Sequence, residues 1–190
     1  MNNEIEYHYY GYNDGKRGIE MKYWVVDGKL NIKLGGANSF YDYFSCLMAW
    51  PRKNINGLKF HRKWYSMAVR CLNALHYLVS GVVTSVEIRG HSMGGAVGNI
   101  LAWFIKNRDI DVVSISVNAP KVGNKKAQRA FSKYVLATYD KGDAVRFLPL
   151  FYAPYVLHLL YDETKCNIIE AHNNLSENYQ TFGEEISNET

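Results

Sequence analysis

The chain alternates between stretches whose hydrophobic positions predict strands and stretches whose hydrophobic positions predict helices. Asp27-Gly28 lies between two such strand-like runs, residues 22–26 and 29–34, and an Asp-Gly pair in that setting favours a β-hairpin. Further strands are predicted for residues 82–88, 111–117 and 134–139, and helices for residues 61–80, 96–106 and 125–133. Because strands alternate with helices, we expect one α/β domain over residues 1–190, with a mostly parallel sheet and helices on both faces.

Several segments rich in polar residues and glycine follow directly after predicted strands. In parallel sheets, ligands bind beyond the carboxyl ends of the strands, where such segments meet. Four segments are predicted to converge there, and they contain residues 35–39, Ser92, Pro120 and Asp143. The sequence therefore predicts a functional site at one edge of the sheet.

Gly90-His91-Ser92-Met93-Gly94 lies between the strand-like run 82–88 and the helix-like run 96–105. A serine on a tight strand-to-helix turn has its hydroxyl pushed away from the backbone, and small neighbours are needed for the turn to close. A hydroxyl is a weak nucleophile at neutral pH, so a base must lie nearby. This pattern favours a nucleophilic serine, Ser92, over a glycine-rich turn that serves packing alone.

An acid and a base follow Ser92 in the order Ser, Asp, His that α/β-hydrolases use. The acid candidates are Asp140 and Asp143, both after the predicted strand 134–139. The base candidates are His158 and His172. His158 lies in an apolar run, where a histidine is more often a hydrogen-bonded wall residue, whereas His172 has polar surroundings and is the favoured base.

Taken together, these motifs resemble the class 3 (fungal-type) lipases of the α/β-hydrolase fold, over about residues 32–179. The chain is short for that family, so a compact version of the fold is expected, with a shallow acyl pocket. The segments that carry the resemblance are residues 34–39 (an oxyanion loop), 58–64 (the start of a long helix), 90–96 (a nucleophile elbow), 118–124, 141–149 (an acid loop) and 171–179 (a histidine segment).

The resemblance implies a role for each matching residue. Ser92 would be the nucleophile, Asp143 the orienting acid and His172 the base, while the backbone N–H groups of Met93 and Ala37 would bind the oxyanion.

The oxyanion loop departs from the family pattern at two positions. Gly35 stands where the family usually has arginine, and Ala37 where it usually has a hydroxyl residue. A backbone donor survives this change, but a supporting hydroxyl is lost, and losing one oxyanion donor costs on the order of 10²–10³ in rate. Weak activity and compensation by Asn38 or Ser39 are both compatible with this loop.

Residues 40–50 follow the oxyanion loop at the position where lipases of this family carry a mobile lid. Apolar side chains in this segment suit a flap that covers an acyl pocket or meets lipid. A short helix buried in the core would have the same pattern, and the sequence favours neither. The apolar positions are Phe40, Tyr43, Phe44, Leu47, Met48 and Trp50.

Charge is unevenly distributed along the chain. Residues 162–190 carry seven acidic residues and one basic residue, a net charge of −6, and because the whole chain carries +4, the remainder carries +10. Basic residues gather in residues 52–63 and 121–133. Such segments can attract an anionic lipid surface, although a solvated basic face is the simpler interpretation. Nucleic-acid binding is not expected, because no recognised motif accompanies the basic residues.

These features predict hydrolysis of carboxylic esters of lipids through an acyl-enzyme, without a metal or cofactor. A short-chain esterase or thioesterase, and a non-catalytic homologue that binds lipid or a protein, are the alternatives. Three cysteines without metal-ligand spacing indicate free thiols in a reducing compartment. No apolar run approaches the ~20 residues of a membrane span. Since the N-terminus lacks the pattern of a secretory signal, a cytoplasmic location is expected, with release by lysis or a non-signal route as the alternative.

Overall fold

The computed structural model describes residues 6–11, 18–36, 52–131, 133–139 and 143–149. Within these residues, a six-stranded sheet has the strand order β1-β2-β3-β6-β7-β8, and β4 and β5 form a separate hairpin. The strands are β1 (Glu6–Gly11), β2 (Gly18–Val26), β3 (Lys29–Leu34), β4 (Arg52–Ile55), β5 (Leu58–His61), β6 (Ser85–His91), β7 (Asp111–Val117) and β8 (Val135–Thr138). The helices are α1 (Arg62–Ala74), α2 (His76–Val79), α3 (Met93–Lys106) and α4 (Lys125–Phe131), followed by a 3-10 turn at Ala144–Phe147.

The predicted hairpin at Asp27-Gly28 is confirmed. β2 and β3 pair antiparallel, and Val26 lies opposite Lys29 across a two-residue turn. Asp27 and Gly28 have φ angles of 49° and 78°, which is the left-handed backbone that a type I′ turn requires at both central positions. The turn fixes the register that delivers Leu34 and the loop after it to the carboxyl edge of β3.

The mostly parallel sheet is also confirmed. β3, β6, β7 and β8 run parallel to one another, while β1 and β2 extend the sheet antiparallel beyond β3. β3, β6 and β7 therefore end at the same edge of the sheet. Ser92 follows β6 at this edge, and residues 35–36 follow β3.

The described crossover helices pack on one face of the sheet. The prediction of helices on the other face as well is not tested by the described residues, which leave out residues 37–51 and 150–190. α3 lies on the face that buries Leu34 and Ile88, since a Cβ built on Gly98 would be 3.0 Å from Ile88 Cγ2 and 3.4 Å from Leu34 Cδ1. α1 and α4 both pack against α3. The reason is topological: β3, β6, β7 and β8 are consecutive neighbours, so right-handed crossovers between them place each helix on the same side.

The opposite face of β3 and β6 is polar and partly exposed. Burial alternates along both strands, and Glu87 on this face forms ion pairs with Lys29 (2.6 Å) and Arg89. Burial by itself raises the pKa of the Glu87 carboxyl, but the hydrogen bonds and charges of Lys29 and Arg89 outweigh it. The pKa of Glu87 is therefore lower than usual, and the carboxylate stabilises this face.

The β4–β5 hairpin was not predicted. Its turn, Asn56-Gly57, has φ angles of 50° and 82°, so it is a second turn with left-handed backbone at both positions. The helix predicted for residues 61–80 is divided at Leu75 into α1 and α2. The strand predicted for residues 82–88 is shifted three residues along the chain, to Ser85–His91.

Candidate active site

Ser92 is the single residue that connects β6 to α3. Its φ and ψ angles are 54° and −124°, a conformation that costs a non-glycine residue roughly 1–3 kcal/mol. Its backbone N–H donates to Val117 O at 2.8 Å, and its carbonyl accepts from Ala96 N at 3.1 Å. These bonds hold the strained turn between β7 and the first turn of α3. The Ser92 side chain is buried, at 4% exposure, so it lies at the sheet edge but not in open solvent.

Glycines on both sides of Ser92 let three backbone segments touch. A Cβ on Gly90 would lie 2.5 Å from the carbonyl carbon of Gly94, and a Cβ on Gly94 would lie 2.5 Å from Gly35 O. Real Cβ atoms essentially never approach backbone this closely. The elbow therefore needs glycine at these positions for close packing, whatever the chemistry of Ser92.

The loop after β3 lies against the elbow. Gly35 N donates to Glu20 O at 3.0 Å, which fixes the start of the loop on β2. A Cβ on Gly36 would be 3.7 Å from His91 O and 3.9 Å from Ser92 Cβ, in ordinary van der Waals contact. The end of β3 thus lies close to Ser92, and the role of this loop in binding an oxyanion stays a prediction. Met93 is buried as the first residue of α3.

Asp143 is fully buried beyond the end of β8. Its carboxylate accepts a hydrogen bond from Val145 N at 2.8 Å and caps the 3-10 turn. The turn is tied to the loop after β7, because Lys121 N donates to Leu148 O at 2.8 Å. The acid loop and the loop after β7 therefore meet at the edge that carries Ser92.

Several predicted site residues lie outside the described residues. These are the oxyanion donor Ala37, the lid residues Phe40, Tyr43, Phe44, Leu47, Met48 and Trp50, the alternative acid Asp140, and both candidate bases, His158 and His172. Their roles stay predictions. Two of the histidines that precede the acid are described by their contacts: His61 is buried and stacks on Trp64 with ring centroids 3.9 Å apart, and His76 lies on the surface near Ser80.

A buried polar network behind the elbow was not anticipated from the sequence. Asn99 on α3 accepts a hydrogen bond from Ser114 Oγ at 2.7 Å and donates one to Ser116 Oγ at 3.1 Å. All three side chains are buried, and both serines belong to β7. The signal in the sequence is the alternation of Ser114 and Ser116 within an otherwise apolar strand. The network fixes α3, and with it Ser92, against β7.

Lys121 is a further buried polar residue near the site, at 8% exposure. It follows Pro120 in the loop after β7. Burial lowers the pKa of its ammonium group below the usual value, because water stabilises the charged form better than protein does.

The family model described as Lipase (class 3) matches residues 32–153 of the chain. The chain belongs to the class 3 lipase family. The match includes the Gly36 loop, Ser92 and Asp143, and it ends before both His158 and His172. The family resemblance of the sequence motifs is therefore confirmed.

Solved lipase structures share the α/β-hydrolase fold with this class 3 lipase chain. The lipase from Rhizopus microsporus var. chinensis matches with a TM-score of 0.69 at 18% identity, over 84% of this chain and 62% of that one. Nonglycosylated LIP2 lipase of Yarrowia lipolytica matches with a TM-score of 0.71 at 14% identity, over 86% and 67% of the two chains. The mono- and diacylglycerol lipase from Aspergillus oryzae matches with a TM-score of 0.66 at 15% identity, over 83% and 64%.

This chain thus spans less than two thirds of the Rhizopus and Aspergillus lipases. No curated protein sequence matches it. Across the described residues, no helix is long and apolar enough to cross a membrane.

Proposed function

We propose that the protein hydrolyses acyl esters of lipids through an acyl-enzyme formed on Ser92. In this mechanism His172 takes the Ser92 proton, and the Ser92 oxygen attacks the ester carbonyl. The backbone N–H groups of Met93 and Ala37 donate to the oxyanion. Asp143 holds the imidazole of His172 in the tautomer that accepts the proton, and it stabilises the cation that results. Water, activated by His172, then releases the acid.

The observation that carries this proposal is the conformation of Ser92. A buried serine at a φ of 54° stores strain, and packing alone would be satisfied by a fourth glycine at this turn. The loop of Gly36 lies close to Ser92, and the loop of Asp143 is tied to the loop after β7 at the same edge. Membership of the class 3 lipase family supports the reaction class, and the apolar residues 40–50 support a lipid substrate, either an acylglycerol or a phospholipid.

The proposal is tested by hydrolysis of chromogenic esters of increasing acyl length, each below and above its aggregation threshold. We expect turnover that rises with acyl length and with aggregation. Ser92→Ala should lower it to background, by a factor of 10⁴ or more on the order found for catalytic triads. Ser66→Ala is the matched control, because the Ser66 hydroxyl is exposed and donates only within α1, to Arg62 O. It should leave turnover unchanged.

The other outcomes separate the alternative functions. Turnover that depends on Ser92 but is confined to short soluble esters would assign a short-chain esterase. Binding of lipid without turnover of any ester would assign a non-catalytic homologue, the alternative that the departures at Gly35 and Ala37 motivate. Full activity of Ser92→Ala would exclude the proposed mechanism.

The choice of base is tested separately, with His172→Asn and His158→Asn. His172→Asn should abolish turnover of the preferred ester, whereas His158→Asn should retain most of it. The reverse result would transfer the role of general base to His158 and leave the nucleophile unchanged. The choice of acid is tested in the same way: Asp143→Asn should abolish turnover, whereas Asp140→Asn should retain most of it.

A further inference from the structure

The two basic segments of the chain lie together in the structure. Asn124 accepts a hydrogen bond from Lys59 N at 3.2 Å through its side-chain oxygen, and its amide nitrogen donates to Gly57 O at 3.0 Å. Lys126 Nζ donates to Asn56 O at 2.8 Å, which ties α4 to the β4–β5 turn. The hairpin, the start of α1 and α4 thus lie side by side, and we call their basic residues Lys59, Arg62, Lys63, Lys125 and Lys126 the basic surface.

The basic surface faces solvent, and its own segments do not neutralise it. Each of its residues is exposed except Lys63, which is partly buried. The chain has no aspartate or glutamate between residues 43 and 86, or between residues 112 and 139. The hairpin, α1 and α4 therefore contribute positive charge alone.

Helix stability does not explain this arrangement. Arg62 and Lys63 occupy the first turn of α1, which contains no acidic residue. The N-terminal end of a helix carries partial positive charge, so cations in the first turn are unfavourable and acids are preferred. The charges of α1 therefore lie where a purely structural helix would avoid them.

The basic surface begins at the edge of the sheet that carries Ser92. α1 starts directly after His61, whose N–H donates to Val122 O at 2.9 Å in the loop after β7. α4 starts at the end of that same loop. Ser92 bonds to Val117, the last residue of β7. A partner that contacts the starts of α1 and α4 is therefore on the Ser92 side of the molecule.

We propose that the basic surface docks the protein on an anionic lipid surface, with the Ser92 edge turned towards that surface. Charge complementarity selects the partner, because lysine and arginine are attracted to acidic headgroups within a Debye length. The proposal rests on the proposed function in one respect: a lipid surface is where the ester substrate would be found. Binding to the lipid surface does not itself require catalysis.

The test uses the full chain with Ser92→Ala, so that vesicles are not hydrolysed during the measurement. Sedimentation with vesicles of phosphatidylglycerol and phosphatidylcholine is compared with vesicles of phosphatidylcholine alone. The variant Arg62→Gln with Lys125→Gln removes two exposed charges of the basic surface. The matched control, Lys106→Gln with Arg108→Gln, removes two exposed charges at the end of α3 away from Ser92.

We expect binding to the anionic vesicles only, with release at high salt. Each charge near an anionic surface contributes about fivefold in binding, so the basic-surface variant should bind roughly 25-fold more weakly. The control variant should bind within about twofold of the parent protein, because its charges lie outside the contact. Turnover of a soluble ester, measured with Ser92 restored, should be the same for both variants.

Three results would overturn the proposal. The first is equal binding to both kinds of vesicle, or binding to neither. The second is a loss of vesicle binding in the control variant as large as that in the basic-surface variant. The third is tighter binding to single-stranded DNA than to anionic vesicles at the same ionic strength. Absence of ester turnover would contradict the proposed function instead. The docking proposal would still be decided by the vesicle-binding result.

Discussion

At the scale of single residues, Gly94 is the position where an added methyl group has the least room. Its Cβ would lie 2.5 Å from Gly35 O, which is backbone of the proposed oxyanion loop. Gly94→Ala should therefore lower the free energy of unfolding by about 1–3 kcal/mol through overpacking, and abolish ester turnover by displacing the loop.

Gly98→Ala is the matched control for this change. It lies on the same helix and gains the same helix propensity, but its Cβ meets a side-chain methyl of Ile88 at 3.0 Å. We expect Gly98→Ala to have turnover and stability near the parent values, as measured by an activity assay and by urea unfolding. Normal activity in Gly94→Ala would show that the loop does not need this close contact.

Cys71 should be inert while the protein is folded. Its side chain is fully buried in α1, and burial raises the pKa of the thiol to about 12. Because only the thiolate reacts, and the raised pKa keeps the thiol protonated at pH 8, we expect very slow reaction in the folded protein. Labelling with iodoacetamide followed by peptide mass spectrometry should find Cys71 unmodified without denaturant and modified in urea. Rapid labelling of Cys71 in folded protein would contradict its placement in the core.

At the scale of elements, the contact between α3 and β7 depends on the Asn99 network. Asn99→Leu removes the acceptor of the buried Ser114 hydroxyl, whereas Ser116 Oγ keeps its hydrogen bond to Leu136 O. One buried donor left unsatisfied costs about 1–3 kcal/mol. We expect a loss of stability in that range, measured by urea unfolding. The triple variant Asn99→Leu, Ser114→Ala, Ser116→Ala should recover part of the loss, because it removes the polar groups together. A triple variant less stable than Asn99→Leu would show that the serines have other roles.

The sequence predicted the strands and turns whose local residue pattern matches the position that they occupy in the folded chain. The Asp27-Gly28 hairpin and the strand Asp111–Val117 appear at the predicted positions. The β4–β5 hairpin has an equally good turn pair, Asn56-Gly57, but its arms are only four residues long and β4 contains a single apolar residue, Ile55. Its stability comes from Asn124, more than 60 residues away, which local patterns do not reveal.

At the scale of the whole molecule, acid stability should depend on Glu87. A carboxyl whose pKa is lowered in the folded protein contributes stability above its unfolded pKa, and this is lost as the pH falls through the folded pKa. Glu87→Gln should therefore be less stable than the parent at pH 7, and the difference should shrink as the pH falls below about 4.3. Urea unfolding at several pH values measures this.

Asp111→Asn serves as the control for that series. Asp111 is highly exposed, at 89% for its side chain, and lies 3.4 Å from Lys106. Exposed ion pairs contribute about 0–1 kcal/mol, so little change is expected at any pH. A difference between Glu87→Gln and the parent that persists at low pH would mean that Glu87 acts through packing and not through its charge.

The candidate site was predictable to the extent that its motifs lie next to strand ends. Ser92 and Gly36 are found at the expected edge because the parallel order of the strands brings their carboxyl ends together. The loop of Asp143 is tied to the same edge by the hydrogen bond from Lys121 N to Leu148 O. The basic surface could not be predicted as one surface, because its halves lie in distant segments joined by hydrogen bonds of Asn124 and Lys126. The burial of Ser92 could not be predicted from the sequence either, since exposure depends on the packing of the entire chain.

The central claim is that Ser92 is a nucleophile, and a fluorophosphonate probe tests it most directly. Such probes form a covalent bond with an activated serine, independently of the acyl group that the enzyme prefers. Peptide mass spectrometry should find one adduct, on Ser92, and none in Ser92→Ala or His172→Asn. An adduct on another residue, or no adduct in a protein that remains folded, would contradict the account.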